Sequence, residues 1–247
     1  MNGINNNLNS ESERESFLFR LSSYLVTLLV AVPIYFVRLL FNKVKIYGKK
    51  RITGAKLPFL FVTNHVTMLD DFFVSPLLFL PKGIFNLNFI PYHTPERKNF
   101  YKGPIISWVM DHVKCLPLTR GKGMFQPGMQ RIIAKVKLGG CVLIYPEGTR
   151  TRTGDLGEGK PGIGRIIYAT RCGVVPCYHS GLDKVLPIGR KIPRFGTKIY
   201  ITVGEPMDLE KFFEMEDNVA TWQKISDEII AEIARLRDDL RQKLQQV

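Results

Sequence analysis

Between Arg20 and Arg38 the chain carries no charge: residues 21–37 read LSSYLVTLLVAVPIYFV. A run of this kind must leave water, either into a protein core or into lipid. As a helix its 17 residues reach about 26 Å at ~1.5 Å per residue, against a bilayer core of roughly 30 Å. Flanking Phe and Leu residues, with Arg20 and Arg38 snorkelling toward headgroups, extend it. Pro33 removes a helical hydrogen bond and predicts a kink or a break. Two membrane geometries follow: one kinked spanning helix, or two short helices that enter and leave one leaflet. The soluble alternative is a buried helix of a globular core. The polar residues 1–15 before it are expected to be disordered. Their mixed charge, and no small-x-small site after the run, argue against a cleaved signal peptide.

The chain of 247 residues has a formal net charge of +13, from 35 Lys+Arg against 22 Asp+Glu. Nucleic acid, an anionic membrane and an acidic substrate or carrier all answer such a balance. Arg38, Lys43, Lys45, Lys49, Lys50 and Arg51 follow the apolar run. They place that end on the cytoplasmic side of a membrane (the inner membrane, if the source is bacterial). Near an anionic surface each is worth about 1 kcal/mol. No RNP, zinc-finger or helix-turn-helix pattern is present, so nucleic acid is not an expected partner. Cys115, Cys141, Cys172 and Cys177 form no C-x-x-C pair, so neither a zinc site nor a redox centre is expected, and the thiols are read as free.

Beyond residue 52 short apolar runs alternate with amphipathic stretches. Residues 57–63 (LPFLFVT), 141–145 (CVLIY), 174–178 and 198–203 (KIYITV) read as buried strands. Residues 70–79, 98–112 with a break near Pro104, and 164–171 read as helices. From Asn218 on, Ile225, Ile229, Ile233, Leu236, Leu240 and Leu244 recur at helical spacing. Packing on the domain edge is the expected role of that helix, with a membrane-lying or dimerising helix as the alternative. The predicted fold is α/β: a single catalytic domain with a central, mostly parallel sheet flanked by helices, preceded by an N-terminal membrane-associating helical segment. The boundary is drawn as 1–46 and 47–247.

Two clusters sit just after predicted strands, where α/β folds build sites. The first is Asn64-His65-Val66-Thr67-Met68-Leu69-Asp70-Asp71. A His and an Asp five apart across a strand-to-helix turn can fold back on each other. Asp70 then fixes one imidazole nitrogen and leaves the other as a base. Equally, Asp70 or Asp71 can simply cap the helix. The second cluster, Tyr145-Pro146-Glu147-Gly148-Thr149-Arg150, is followed by Arg152, Lys160 and Arg165 with interleaved glycines. Arginine with exposed backbone N–H groups suits a phosphate, and a flexible basic loop is the plain alternative. No nucleotide-binding G-x-x-x-x-G-K-[ST] occurs.

Taken in order, Asn64-His65-x-Thr67-x-x-Asp70 and Pro146-Glu147-Gly148-Thr149-Arg150 resemble the glycerolipid acyltransferases, nearest to the 1-acyl-sn-glycerol-3-phosphate (lysophosphatidic acid) acyltransferases. The family's second block is matched loosely by LPLTR at 116–120, with Thr119 for an acidic residue. Its third block usually opens with Phe, where this chain has Tyr145. Its fourth is matched by Val174-Val175-Pro176. The likeness spans about 57–207.

The resemblance implies His65 as general base and Asp70 as its orienting acid. Arg120, Glu147, Gly148, Thr149 and Arg150 would hold the acceptor's glycerol phosphate. Lys160 joins them on charge and position alone. It further implies an acyl thioester donor, acyl-CoA or an acyl-carrier protein, with no cofactor and no metal. The acceptor is lysophosphatidic acid at its sn-2 hydroxyl, giving phosphatidic acid, and the bilayer is a partner. Glycerol-3-phosphate or another lysophospholipid is the alternative acceptor. A non-catalytic basic module binding anionic lipid or nucleic acid is the alternative from another class. The chain departs from the family between the first two blocks. There Phe89-Ile90-Pro91-Tyr92-His93 holds no lysine, and Arg97 or Lys98 is the expected substitute. His93, His112 and His179 have no acid at matching spacing and are read as structural.

Overall fold

The computed structural model describes residues 17–68, 70–151, 154–187, 189–190 and 192–246. The expected disorder of 1–15 and the cation Arg152 lie outside the described residues. The elements run α1 (Phe17–Phe41), β1 (Lys43–Tyr47), α2 (Lys49–Thr53), β2 (Phe59–Thr63), α3 (Asp70–Gly83), α4 (Arg97–Phe100), α5 (Pro104–His112), α6 (Pro127–Lys137), β3 (Cys141–Ile144), α7 (Pro161–Thr170), β4 (Gly173–Ser180), α8 (Leu182–Val185), β5 (Lys198–Val203), α9 (Glu210–Phe213) and α10 (Val219–Gln245). The strands form one sheet in the order β1-β5-β4-β2-β3. The β1/β5, β4/β2 and β2/β3 ladders are parallel and β4/β5 is antiparallel. The sheet is therefore mixed and mostly parallel.

The internal strand β2 is buried along its whole length, because helices cover both sheet faces. Its side chains alternate between two cores. Leu60 and Val62 pack with Ile132 and Val136 of α6, Ile166 of α7 and Ile229 of α10. Phe59 and Phe61 pack with Phe73, Leu77 and Phe79 of α3 on the other face. The tail helix packs on the domain, but over a sheet face against α7, β4 and β5 and not at an edge. Asn218 caps it by accepting from the Thr221 N–H at 3.0 Å. Its contact with α7 is so close that a Cβ on Gly164 would lie 1.9 Å from the Trp222 carbonyl oxygen.

Five elements escape the sequence reading: β1, α6 and the short helices α2, α8 and α9. Residues 43–47 look like the basic flank of the apolar run, yet KVKIY is an edge strand paired in parallel with β5. The boundary expected after residue 46 therefore falls inside β1. Lys43 and Lys45 point outward from that edge, which also discourages pairing with another chain. The helix α6 buries Met129, Ile132, Ile133 and Val136 at helical spacing.

The apolar run forms one helix of 25 residues that continues through Pro33. It is not split into two short helices. Nor is it a core helix, because 11 % of its most apolar window is buried. Its inner face is tied to the domain along its length. Ser23 and Thr27 both donate to the His112 carbonyl, at 2.7 and 3.1 Å. Tyr24 donates to the Ile84 carbonyl at 2.6 Å. Arg38 does not snorkel: it is buried, donates to Asn42 Oδ1 at 3.1 Å and stacks on Phe73 at 4.2 Å. The outer face leaves Leu18, Leu21, Leu25, Leu29, Phe36 and Leu40 exposed.

Candidate active site

The carboxyl ends of β2 and β3 carry the two clusters, and β4 supports them from the far side. At the end of β2, Asn64 acts as a side-chain extension of the ladder. Its amide donates to the His179 carbonyl at 3.0 Å, and its Oδ1 accepts the His179 N–H at 2.9 Å. This fixes where the next residue, His65, begins.

Asp70 opens α3 and is fully buried. It does not cap the helix ahead of it. Its carboxylate turns back to accept from the Val66 N–H at 2.7 Å, the Thr67 N–H at 3.0 Å and the Thr67 hydroxyl at 2.5 Å. Oδ2 also lies 2.9 Å from His65 Nδ1. Burial pushes the Asp70 pKa up, but His179, His65 and Thr67 outweigh it, and the carboxyl stays below the ordinary range. Asp70 is thus a carboxylate that fixes the His65 tautomer with the proton on Nδ1, and Nε2 is left as the basic nitrogen.

The β3 loop locks onto His65 from the other side. The His65 N–H donates to Glu147 Oε1 at 3.0 Å, and the His65 carbonyl accepts from the Thr151 N–H at 2.9 Å. Glu147 Oε2 accepts from the Gly157 N–H at 2.9 Å. Burial raises the Glu147 pKa, and these two N–H bonds oppose the rise. With both oxygens engaged by backbone, Glu147 ties the two loops together. Gly148 takes a φ of 66°, a left-handed turn that suits glycine. It presents Thr149 and Arg150 beside Lys160, whose own N–H donates to the Pro146 carbonyl at 2.8 Å.

One cavity of about 630 Å³ gathers His65, Arg120, Glu147, Gly148, Thr149, Arg150 and Lys160, while Asp70 lies behind His65. Arg120 is paired: its Nε sits 3.1 Å from Glu96 on the same wall. The same cavity has an apolar part, its apolar arm, lined by Val30 and Ala31 of α1, Phe79 and Leu80 of α3, and Met110 and Val113. Arg97 and Lys98, the expected stand-ins for the missing lysine, are not on its wall; His93 is. Among the described residues, no group of three His, Cys, Asp or Glu is placed to hold a metal.

Two of the three remaining histidines change meaning in space. His93 Nδ1 lies 3.3 Å from Asp71 Oδ2, and His179 Nε2 lies 3.8 Å from Asp70 Oδ2. His179 is fully buried, which lowers its pKa, and Nε2 donates to the Asn64 carbonyl at 2.9 Å. So an acid does lie near each, across gaps in the chain that spacing could not reveal. His112 keeps a structural role, with Nδ1 2.7 Å from the Trp108 carbonyl. Tyr145 stacks on the His65 ring, centroids 3.8 Å apart.

The chain matches a family model, Acyltransferase, over residues 43–180, a span that holds both clusters. The chain belongs to the acyltransferase family. Among relatives, this acyltransferase is 29 % identical to tafazzin of Drosophila melanogaster, over 69 % of this chain and 47 % of that one. It is 31 % identical to the chloroplastic 1-acyl-sn-glycerol-3-phosphate acyltransferase LPAT1 of Arabidopsis thaliana, over 60 % of this chain and 39 % of that one. Dictyostelium discoideum taffazin is 30 % identical, over 70 % and 61 %. The chain therefore spans between 39 % and 61 % of the length of these relatives. Its fold is that of the crystal structure of the lysophosphatidic acid acyltransferase PlsC of Thermotoga maritima, with a TM-score of 0.58 at 20 % identity, covering 92 % of this chain and 98 % of that one.

Proposed function

We propose that this acyltransferase moves a fatty acyl chain from an acyl thioester to the sn-2 hydroxyl of lysophosphatidic acid, forming phosphatidic acid. The observation that carries this reading is the His65 Nδ1–Asp70 Oδ2 contact of 2.9 Å beside a cavity with a cationic rim and an apolar arm. His65 Nε2 takes the proton of the acceptor hydroxyl as its oxygen attacks the thioester carbonyl. The C–S bond then breaks with its electron pair on sulfur. The thiolate leaves and takes that proton from the His65 imidazolium, which restores the base, and no acyl-enzyme forms. Asp70 holds the imidazolium in place while it carries the proton; such acid–base help is worth roughly 10²–10⁴ in rate. Arg150 and Lys160 receive the acceptor phosphate, with Gly148 and Thr149 beside them and Arg120 at the edge. The apolar arm takes an acyl chain. The donor is a substrate, and the chemistry needs no cofactor.

The site works at a membrane, on its cytoplasmic face. A helix tied to the domain along its length cannot cross a bilayer without carrying the domain with it. The exposed Leu18–Leu21–Leu25–Leu29 face instead lies in one leaflet. The apolar arm reaches this same helix, so a lysolipid enters without leaving the lipid phase.

A second reading keeps the chemistry and changes the acceptor to another lysophospholipid. It is favoured by one observation: the tafazzin relatives align over 69–70 % of the chain, the 1-acylglycerol-3-phosphate acyltransferases over 60 %. Purified protein with labelled acyl-CoA and a panel of lysophospholipids in mixed micelles decides between them. Labelled phosphatidic acid as the main product supports the first reading. A diester lysophospholipid as the preferred acceptor replaces it with the second, and no labelled lipid from any acceptor overturns both.

A further inference from the structure

Asp70 has a neighbour in sequence whose side chain plays no part in the mechanism above. Asp71 turns the other way, toward the end of β3. Its Oδ1 accepts the Tyr145 hydroxyl, and its Oδ2 lies 3.3 Å from His93 Nδ1. Tyr145 lies flat against the His65 ring, with centroids 3.8 Å apart and planes 14° from parallel. Two consecutive carboxylates at the start of α3 therefore act on one imidazole from two directions. Asp70 meets it in the plane at Nδ1, and Asp71 meets it on the face through the tyrosine.

We propose that Tyr145 and Asp71 are positioning residues for His65, a second clamp that holds the ring at right angles to the bond from Asp70. This rests on the reading of His65 as the base. A single in-plane hydrogen bond fixes one nitrogen but lets the ring rock about that contact. An aromatic face pressed against the ring blocks the rocking, provided the face is itself fixed. The hydroxyl bond to Asp71 fixes it, while His93 Nδ1 lies 3.3 Å from the other Asp71 oxygen without a hydrogen bond to it. A phenol bonded to a carboxylate also has a more electron-rich face, which favours the imidazolium formed during transfer. Misplacement of a base by a fraction of an ångström is costly in rate. A phenylalanine, the residue the resembling acyltransferases usually carry here, would stack but would not be anchored.

The test uses Tyr145→Phe, Asp71→Asn and the double variant of the full chain, each checked for an unchanged Tm. Each single variant is expected to lower kcat about 3–10-fold with KM within twofold. The double variant should lose no more than the worse single, because both break one chain of contacts. His93→Gln, one step further out, should lose about twofold or less. A second readout does not depend on activity: the low-field proton resonance of the His65–Asp70 hydrogen bond, sharp in the wild type, should broaden by exchange in Tyr145→Phe. Unchanged kcat with an unchanged resonance overturns the proposal. So do losses confined to KM, or a double variant whose loss is the product of the singles. If the wild type transfers no acyl chain at all, the proposed function fails, and the resonance alone still decides whether Tyr145 holds His65.

Discussion

The cavity has a floor and a rim, and they are built on opposite principles. At the floor, the Asp70 carboxylate accepts from two backbone N–H groups, a hydroxyl and an imidazole, all within 2.5–3.0 Å. Glu147 is bound at both oxygens by backbone N–H groups. At the rim, Lys160 is exposed and the Arg120 side chain is 48 % exposed, held by a single carboxylate. A fixed floor stabilises a transition state because nothing has to reorganise when charge develops. A loose rim can close on a headgroup and adapt to its shape. The floor should therefore govern kcat and the rim KM and acceptor choice.

The largest effect expected is at the floor. His65→Ala should lower kcat by roughly 10²–10⁴ with little change in Tm, measured by labelled-lipid formation and by calorimetry. Asp70→Asn should fall short of that in rate but also cost stability, because the loop N–H groups lose a charged acceptor. Hydrogen bonds to charged groups are worth about 1.5–3 kcal/mol each. Glu147→Gln separates the two roles further. A glutamine can satisfy one of the two N–H groups but turns an NH₂ toward the other, so unfolding stability should drop by about 1–3 kcal/mol. If Glu147→Gln instead raised KM alone and left stability intact, the residue would belong to the rim.

The rim predictions are smaller. Arg150→Ala should raise the acceptor KM about tenfold and leave kcat nearly unchanged, and Lys160→Ala should raise it about threefold, as expected for charge-assisted phosphate contacts that are equal in ground and transition states. Steady-state kinetics against lysophosphatidic acid measures both. A loss in kcat from either variant would erase the distinction between floor and rim.

Some of this architecture was legible in the sequence because it is local. His65 and Asp70 are five residues apart, and the Glu-Gly-Thr-Arg turn is contiguous. Four strands and most helices announced themselves by apolar runs and periodicity. What stayed hidden depends on strand order. Asp71, Tyr145 and His93 meet only because the ends of β2, β3 and the bridge of Tyr92 to Val142 lie side by side. His179 reaches Asp70 only because β4 pairs with β2. Glu147 is expected as a ligand contact from the family resemblance alone, whereas both its oxygens take backbone N–H partners. Residues 43–47 were masked by their lysines, which sit on an exposed edge while Val44 and Ile46 turn inward.

The smallest expected effect concerns pH and the floor's deepest member. The pKa of His179 is lowered by burial, so the unfolded chain takes up its proton first as pH falls below about 6.5. The stability from neutral His179 is therefore full above that pH and is lost progressively as pH falls toward the folded pKa, at no more than about 1.4 kcal/mol per pH unit. Asp70, also depressed, adds a loss in the same direction only below about pH 4, and Glu147, raised, opposes it there. Urea midpoints between pH 7 and pH 5 should fall for the wild type and flatten for His179→Asn. A wild-type midpoint that rises on acidification would contradict the buried neutral form.

The central claim is that His65 activates an acceptor hydroxyl directly. Thiol release from acyl-CoA, followed with and without lysophosphatidic acid in the wild type and in His65→Ala, tests it most directly. The account predicts release that requires the lysolipid, matches labelled phosphatidic acid one for one, and is lost in His65→Ala. Release that proceeds without any acceptor, or that survives in His65→Ala at near wild-type rate, would contradict it.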